Sequence, residues 1–329
     1  MESFKALVVE RADGQFAVEV KELTLEDLPA GEVTIRVKYT SMNYKDALAC
    51  SPSGRVVRTY PMVPGIDLAG TVVASSDSCY REGDDVLVTS YELGTGHYGG
   101  FSSFARVSAD WVVPLPSGLS HREAMILGTA GFTAALSIQW LENNGLNKDK
   151  GPVLVRGATG GVGSSSVSML AGLGYEVEAS TGKFADHAYL VELGAKHVIS
   201  REELSPQVQK PLNKEYWAGA VDPVGGNSLA HVLSRMQYGG SVALSGLTGG
   251  GEFSASVYPF ILRGVNILGI DSVYCPMAIR KPLWERIATE LKPPLLERTV
   301  YKEVTLEEVE AVAGEVLNGQ VRGRVLVRL

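Results

Sequence analysis

Cysteine is scarce in this sequence: three residues, Cys50, Cys79 and Cys275, none of them part of a C-x-x-C pair. That scarcity argues against a disulfide framework and a cysteine-rich zinc site, and it suits a reduced, cytoplasmic setting. An excess of basic residues is also missing. Thirty Lys and Arg stand against 37 Asp and Glu, for a net charge of −7, the wrong sign for a general nucleic-acid binder. No apolar run of about 18 residues stands out, and no charged n-region leads into an apolar signal segment, so the chain is expected to be soluble and not exported. Internal repeats and low-complexity tracts are absent. What remains is a chain of 329 residues, 45% of them hydrophobic, enough for two domains with real cores.

The most informative stretch runs from Pro152 to Leu170, PVLVRGATGGVGSSSVSML. Val153-Leu154-Val155 reads as a short strand and Ser164 to Leu170 as helix, with Gly157-Ala158-Thr159-Gly160-Gly161-Val162-Gly163 between them. Strand, glycine turn and helix together make an A-x-G-x-x-G dinucleotide-binding fingerprint. Gly160 lets backbone approach a pyrophosphate, Gly163 lets the helix pack close, and the helix start near Val162 offers free N–H groups to the phosphates. The plain alternative is a glycine-rich turn with no ligand, but flexible glycines cost stability where nothing requires them.

Around this stretch the chain changes character twice. Before Pro114-Leu115-Pro116 it reads as short strands (4–10, 16–23, 32–39, 67–74, 85–90 and 101–107), a pattern suited to a small barrel-like domain. Helical spacing follows at 121–126 and 131–143. From Val153, strands at 153–156, 175–179, 197–200, 218–222 and 241–245 alternate with helices at 161–173, 185–193 and 228–236. That alternation predicts a parallel sheet covered on both faces. After Pro293-Pro294 a capping box, Thr305 with Glu308, opens a helix to Leu317, and Arg324–Leu329 reads as a closing strand. Residues 294–329 are expected to complete the first domain, with the active site in the cleft between the two.

Four motifs in this order, Asn43-Tyr44-Lys45-Asp46, Pro64-Gly65-Ile66-Asp67-Leu68-Ala69-Gly70, Gly128-Thr129-Ala130-Gly131-Phe132-Thr133-Ala134 and the glycine turn, resemble the medium-chain dehydrogenase/reductase superfamily. Pro61 to Asp67, Trp217 to Asp222 and Pro259 to Arg263 narrow the resemblance to its zinc-free quinone oxidoreductase and acryloyl-CoA reductase branch, of YhdH/YhfP type. The resemblance covers essentially the whole chain. It implies an α/β fold: a doubly wound Rossmann parallel sheet over 123–293 plus a GroES-like β-barrel catalytic domain over 1–122 and 294–329.

Zinc enzymes of the superfamily hold their catalytic metal with cysteine, histidine and cysteine. The matching positions here are Asn43, Ile66 and Thr129, and an isoleucine supplies no ligand. A metal-free site is therefore expected. Without a Lewis acid the reading moves from alcohol oxidation to reduction of an already activated double bond.

The second strand of the nucleotide unit ends in Ser180-Thr181-Gly182-Lys183, where an NAD enzyme places an acid for the ribose 2′-hydroxyl. Two hydroxyls and a cation, with Arg201 as a second cation, suit the 2′-phosphate of NADPH. The cofactor-binding set is thus Ala158, Thr159, Gly160, Gly161, Val162, Gly163, Ser180, Thr181, Lys183 and Arg201. To these the resemblance adds Tyr44, Thr129, Thr133, Leu247, Ser272 and Asn318. Thr129 and Thr133 read equally as helix caps, and Arg322 and Arg324 as solvated charges flanking an edge strand.

For the chemistry, Tyr44 is the first choice, as a hydrogen-bond donor whose ring can stack on nicotinamide. Asn43 can bond ribose or carbonyl, and Asp46 either takes part or stabilises a turn. Tyr98 is a reserve proton donor, and His97 reads as a loop histidine. The basic loop Gly54-Arg55-Val56-Val57-Arg58 suits coenzyme A phosphates or plain solvation. The expected activity is reduction of acryloyl-CoA or a related enoyl-CoA, with NADPH:quinone oxidoreductase and non-catalytic NADPH binding as the alternatives. By the same resemblance, strand 265–270 pairs with its twin in a homodimer. Neither nucleic acid nor membrane is an expected partner.

Overall fold

The computed structural model describes residues 3–329, and its backbone contacts divide the chain into two units. The first comprises Met1–Thr129, Val273–Ala288 and Val300–Leu329, and the second Ala130–Ser272 and Thr289–Thr299. The first unit opens with β1 (Phe4–Ala12) and β2 (Gln15–Leu23), a separate two-stranded ladder. Then come β3 (Val33–Met42), α1 (Tyr44–Ala49), β4 (Asp67–Ser75), β5 (Asp85–Thr89), β6 (Phe104–Val107) and β7 (Val113–Pro114). Alternation decides which face is buried: Val33, Ile35 and Val37 of β3 pack with Leu68, Val72, Val86 and Val88, the two-residue period of a strand with one face on a core.

The six-residue α1 was not anticipated, being too short to show periodicity. Asp46 stands at its third position and accepts the Asn43 backbone N–H at 2.8 Å, the carboxylate half of a capping box. Two helices expected at 121–126 and 131–143 form one element, α2 (His121–Asn143), broken internally where Gly128 leaves helical geometry at φ 51°. This helix is long and apolar enough to cross a bilayer, although no such run stood out in the sequence, and most of it is buried within the fold.

The second unit follows as β8 (Val153–Val155), α3 (Gly161–Gly172), β9 (Val177–Thr181), α4 (His187–Glu192), β10 (His197–Ser200), β11 (Trp217–Asp222), α5 (Leu229–Arg235), β12 (Met236–Leu244), α6 (Tyr258–Arg263) and β13 (Asn266–Gly269). Strand β12 starts at Met236, earlier than the expected Ser241, pairing through an irregularity next to Trp217. The sheet order is β10-β9-β8-β11-β12-β13, with every neighbouring pair parallel. The first strand thus lies in the middle, and the winding reverses between β8 and β11. In a doubly wound sheet the crevice beyond the carboxyl ends at such a reversal is where a dinucleotide binds. Val153, Leu154, Val155, Ala220 and Val221 are fully buried there, as central parallel strands require.

The chain returns to the first unit with α7 (Met277–Ala288), β14 (Val300–Val304), α8 (Val309–Leu317) and β15 (Arg324–Arg328). The sheet it completes runs β14-β15-β3-β4-β5-β7, with β6 also on β3. Only β14 and β15 pair parallel. Helix α8 packs Val309, Val312 and Ala313 against Ala47 and Cys50 of the α1 region. The start of β15 and the N-terminus of α1 are thereby brought beside each other.

Candidate active site

In the first unit the sequence-selected Asn43, Asp46 and Thr129 meet around two charges that local reading underrated. Asp67 is wholly buried and Arg324 is 3% exposed. Arg324 is therefore not a solvated charge, and its guanidinium lies 3.8 Å from the Asp67 carboxylate. It also donates to the Ile126 and Met42 carbonyls, to Asn43 Oδ1 at 3.1 Å and to Ser41 Oγ at 2.8 Å. Burial pulls its pKa below the usual arginine range, and Asp67 and Asp46 oppose that pull. Asp67 accepts from Ser41 Oγ, from Asn43 Nδ2 at 2.7 Å, and from both the backbone N–H and the hydroxyl of Thr129. The break at Gly128 makes this possible. A β-carbon there would stand 2.5 Å from Asp67 Oδ2 and 2.7 Å from Arg324 Nη2, and φ 51° with ψ −156° is a backbone conformation that favours glycine.

Ser90, which sequence reading missed, extends the network: its hydroxyl lies 2.9 Å from Thr129 Oγ1. Ser90 and Tyr91 both have positive φ, 67° and 53°, a strained conformation that surrounding structure must impose. Arg280 packs against this segment, donating to the carbonyl and hydroxyl of Thr89 and lying 4.5 Å from the Tyr91 ring centre. Tyr44 stands half exposed at the first turn of α1. Asn318 caps the end of α8 and is exposed. Burial raises the Tyr98 phenol, which makes it a poorer acid, and the His97 ring nitrogens face the carbonyls of Tyr98 and Ala30. In the basic loop Arg58 is paired with Glu92 at 2.6 Å, while Arg55 is exposed.

At the three positions where zinc enzymes have ligands, the Asn43 amide and the Thr129 hydroxyl are engaged by Asp67 and Arg324, and Ile66 has no donor atom. Among the described residues no group of three or more His, Cys, Asp or Glu is placed to hold a metal ion. The residues present do not fit zinc, which requires thiolate, imidazole or carboxylate in tetrahedral array.

In the second unit the glycine turn is tied to the end of β9. The Ala158 N–H donates to the Ser180 carbonyl at 3.0 Å, and the Thr159 and Thr181 hydroxyls lie 3.2 Å apart. Helix α3 starts at Gly161 with Gly160 as its cap. A β-carbon on Gly163 would run into the Gly157 carbonyl and stand 2.6 Å from Ala158 Cα, so helix and turn meet through bare backbone. Buried Ser164, Ser165 and Ser166 return their hydroxyls to the carbonyls four residues back, keeping the packed face small. Parallel register sets Ser200 opposite Thr181, and Arg201 lies along Gly182, where a β-carbon would stand 2.8 Å from its Cδ. Ser180, Thr181, Lys183 and Arg201 thus share one corner at the carboxyl end of the sheet. Thr133 donates to Ser272 Oγ at 2.7 Å, and Leu247 is 69% exposed in the loop after β12.

Comparison with known proteins agrees with both halves. Residues 29–117 match the alcohol dehydrogenase GroES-like domain family, and residues 161–289 the zinc-binding dehydrogenase family. The putative quinone oxidoreductase YhfP of Bacillus subtilis is 56% identical over 326 residues, 99% of each chain. Its crystal structure with NAD bound superposes with a TM-score of 0.98 at 55% identity, covering 100% of both chains. The acrylyl-CoA reductase AcuI of Ruegeria pomeroyi is 52% identical over 98% of each. The yhdH oxidoreductase of Salmonella enterica, solved with NADP, gives a TM-score of 0.96 at 46% identity, with 99% of each chain covered.

One group in the network has a measurable signature. Burial, and secondarily Asp67, push the Asp46 carboxyl up to about 7, against the opposing N–H donors of Asn43 and Ile66. An unfolded aspartate titrates at about 3.9. Between these values the folded state holds the extra proton, so this group's contribution to stability falls as pH rises from about 4 to 7. Carboxyl-carbon NMR is expected to show Asp46 titrating near 7. A midpoint near 4 would contradict the burial argument.

Proposed function

The chain belongs to the medium-chain dehydrogenase/reductase superfamily, and from that premise we propose an NADPH-dependent, zinc-independent reductase of activated carbon–carbon double bonds. Its substrate class is the α,β-unsaturated carbonyl, with acryloyl-CoA or a related enoyl-CoA as the acceptor. The observation that carries this reading is the replacement of a metal donor set by Asn43, Ile66 and Thr129 around a buried Asp67–Arg324 pair. Oxidation of an alcohol through a metal alkoxide has no ligands to build on there, whereas a conjugated acceptor needs only positioning and polarisation. The 52% identity to a protein named acrylyl-CoA reductase supports the same substrate class.

Residues Ala158 to Gly163 would hold the pyrophosphate on the backbone N–H groups at the start of α3. Ser180, Thr181, Lys183 and Arg201 would hold the 2′-phosphate, with cations where an acid would select NAD. Tyr44, Thr129, Thr133, Leu247, Ser272 and Asn318 are assigned to the rest of the dinucleotide. When bound, NADPH supplies the hydride that the β-carbon of the acceptor takes up. Tyr44 donates a hydrogen bond to the carbonyl oxygen as it gains negative charge, while Asn43, expected from sequence to bond ribose or carbonyl, has its amide taken up by Asp67, Asp46 and Arg324 and holds the start of α1 in place. Tyr44 or a water it orders then gives the α-carbon its proton. Asp46 holds the Asn43 end of α1 and serves geometry rather than proton transfer.

A second reading, NADPH:quinone oxidoreductase, is favoured by the 56% identity to a protein named putative quinone oxidoreductase; non-catalytic NADPH binding is the third. Loss of NADPH absorbance separates them. Faster turnover with acryloyl-CoA than with a simple quinone is expected. Preference for the quinone would favour the second reading, and no turnover with either would favour the third.

The enzyme is assigned to the cytoplasm, in keeping with three free cysteines, and to a homodimer. Edge strand β13 leaves one side of the parallel sheet unpaired, and Val257, Tyr258, Ile261 and Leu262 just before it are exposed. An open edge beside an apolar patch suits a second copy of the chain. Light scattering at micromolar concentration should give twice the mass of one chain, and a monomer mass would refute the assignment.

A further inference from the structure

Arg156 ends the run Val153-Leu154-Val155 and immediately precedes the glycine turn, yet its side chain is 3% exposed. It is thus closed off from direct contact with a phosphate. Its guanidinium pairs with Asp222, itself wholly buried at the end of β11. The rest of the fork donates to the Gly225 carbonyl, at 3.3 Å from both terminal nitrogens, and to Ser228 Oγ. The other Asp222 oxygen accepts the N–H groups of Val224 at 2.8 Å and Gly225 at 2.9 Å. One planar cation therefore fixes the whole turn after β11, the strand across the reversal of the sheet from β8.

That turn is in contact with both stretches assigned to the cofactor. Val224 lies over the glycine turn, where a β-carbon on Gly157 would stand 3.1 Å from Val224 Cγ2. The loop after β12, which carries Leu247, is hung from the same turn: Ser245 N–H donates to the Asp222 carbonyl at 2.9 Å and Gly249 N–H to the Val224 carbonyl at 2.7 Å. Because Asp222 neutralises Arg156, the pair offers the crevice a fixed shape rather than a free positive charge.

We propose that Arg156 is a positioning residue for the dinucleotide, holding Pro223-Val224-Gly225-Gly226 as the wall opposite the glycine turn and thereby setting cofactor affinity. This rests on the reading that NADPH binds at that turn. Lysine keeps the charge but has no fork to reach Asp222, Gly225 and Ser228 together. Methionine removes the charge as well and leaves Asp222 buried without its partner.

The test is the dissociation constant for NADPH, measured by fluorescence titration of purified protein, with kcat at saturating NADPH alongside. Arg156→Lys is expected to raise the dissociation constant about tenfold, through loss of preorganisation, with kcat within about twofold of wild type. Arg156→Met is expected to raise it further. A role in stability alone would lower the melting temperature of both variants and leave the affinity of the folded protein unchanged. NADPH affinity within about twofold of wild type in folded Arg156→Lys would overturn the proposal, even if Arg156→Met fails to fold. Wild-type protein that binds no NADPH would overturn the cofactor reading itself, and this inference with it.

Discussion

A carboxylate and a guanidinium taken out of water have to find each other, and in the first unit that requirement organises everything around the candidate site. Asp67 and Arg324 are 257 residues apart in the chain and both are buried. Burying two charges costs more than their attraction returns unless the remaining lone pairs and protons are also satisfied. Ser41, Asn43, Thr129 and two backbone carbonyls satisfy them. Those same residues stand where zinc enzymes place their metal or beside it. The pair therefore explains the broken helix at Gly128, the fixed Asn43 amide and the orientation of the Thr129 hydroxyl. Removing either partner would cost about 3–5 kcal/mol, a large part of the stability of any domain.

The second unit depends on a steric constraint of a different kind. Gly163 leaves no room for a β-carbon against the Gly157 carbonyl, so α3 rests on bare backbone. Everything proposed for the cofactor follows from that approach. The phosphates need exposed backbone donors, the corner at Ser180 to Lys183 is reached through the Ala158–Ser180 hydrogen bond, and the opposite wall is held by Arg156.

What was legible in the sequence was local. The glycine turn announces itself within a dozen residues because its chemistry is backbone chemistry. The corner at Ser180, Thr181, Lys183 and Arg201 could be found by counting from it, because parallel register is regular. Residues whose partners lie far along the chain gave no such signal. Arg324 looked like a solvated charge beside a strand, Asp67 was only a letter in a motif, and Ser90 and Arg156 drew no notice. Short helices were lost for a related reason: α1 spans less than two turns, so periodicity has nothing to act on, and only the Asn43/Asp46 spacing could have revealed it. In α2 the glycine that split the expected helix in two proved to be a break demanded by the buried carboxylate.

The proposed reaction carries hydride from NADPH to the β-carbon of a conjugated acceptor. Mass spectrometry of the product tests it most directly, using acryloyl-CoA and NADPH dideuterated at the nicotinamide C4 in ordinary water. Propionyl-CoA carrying one deuterium at the carbon β to the thioester is expected. Propionyl-CoA without deuterium, or no propionyl-CoA at all, would contradict it.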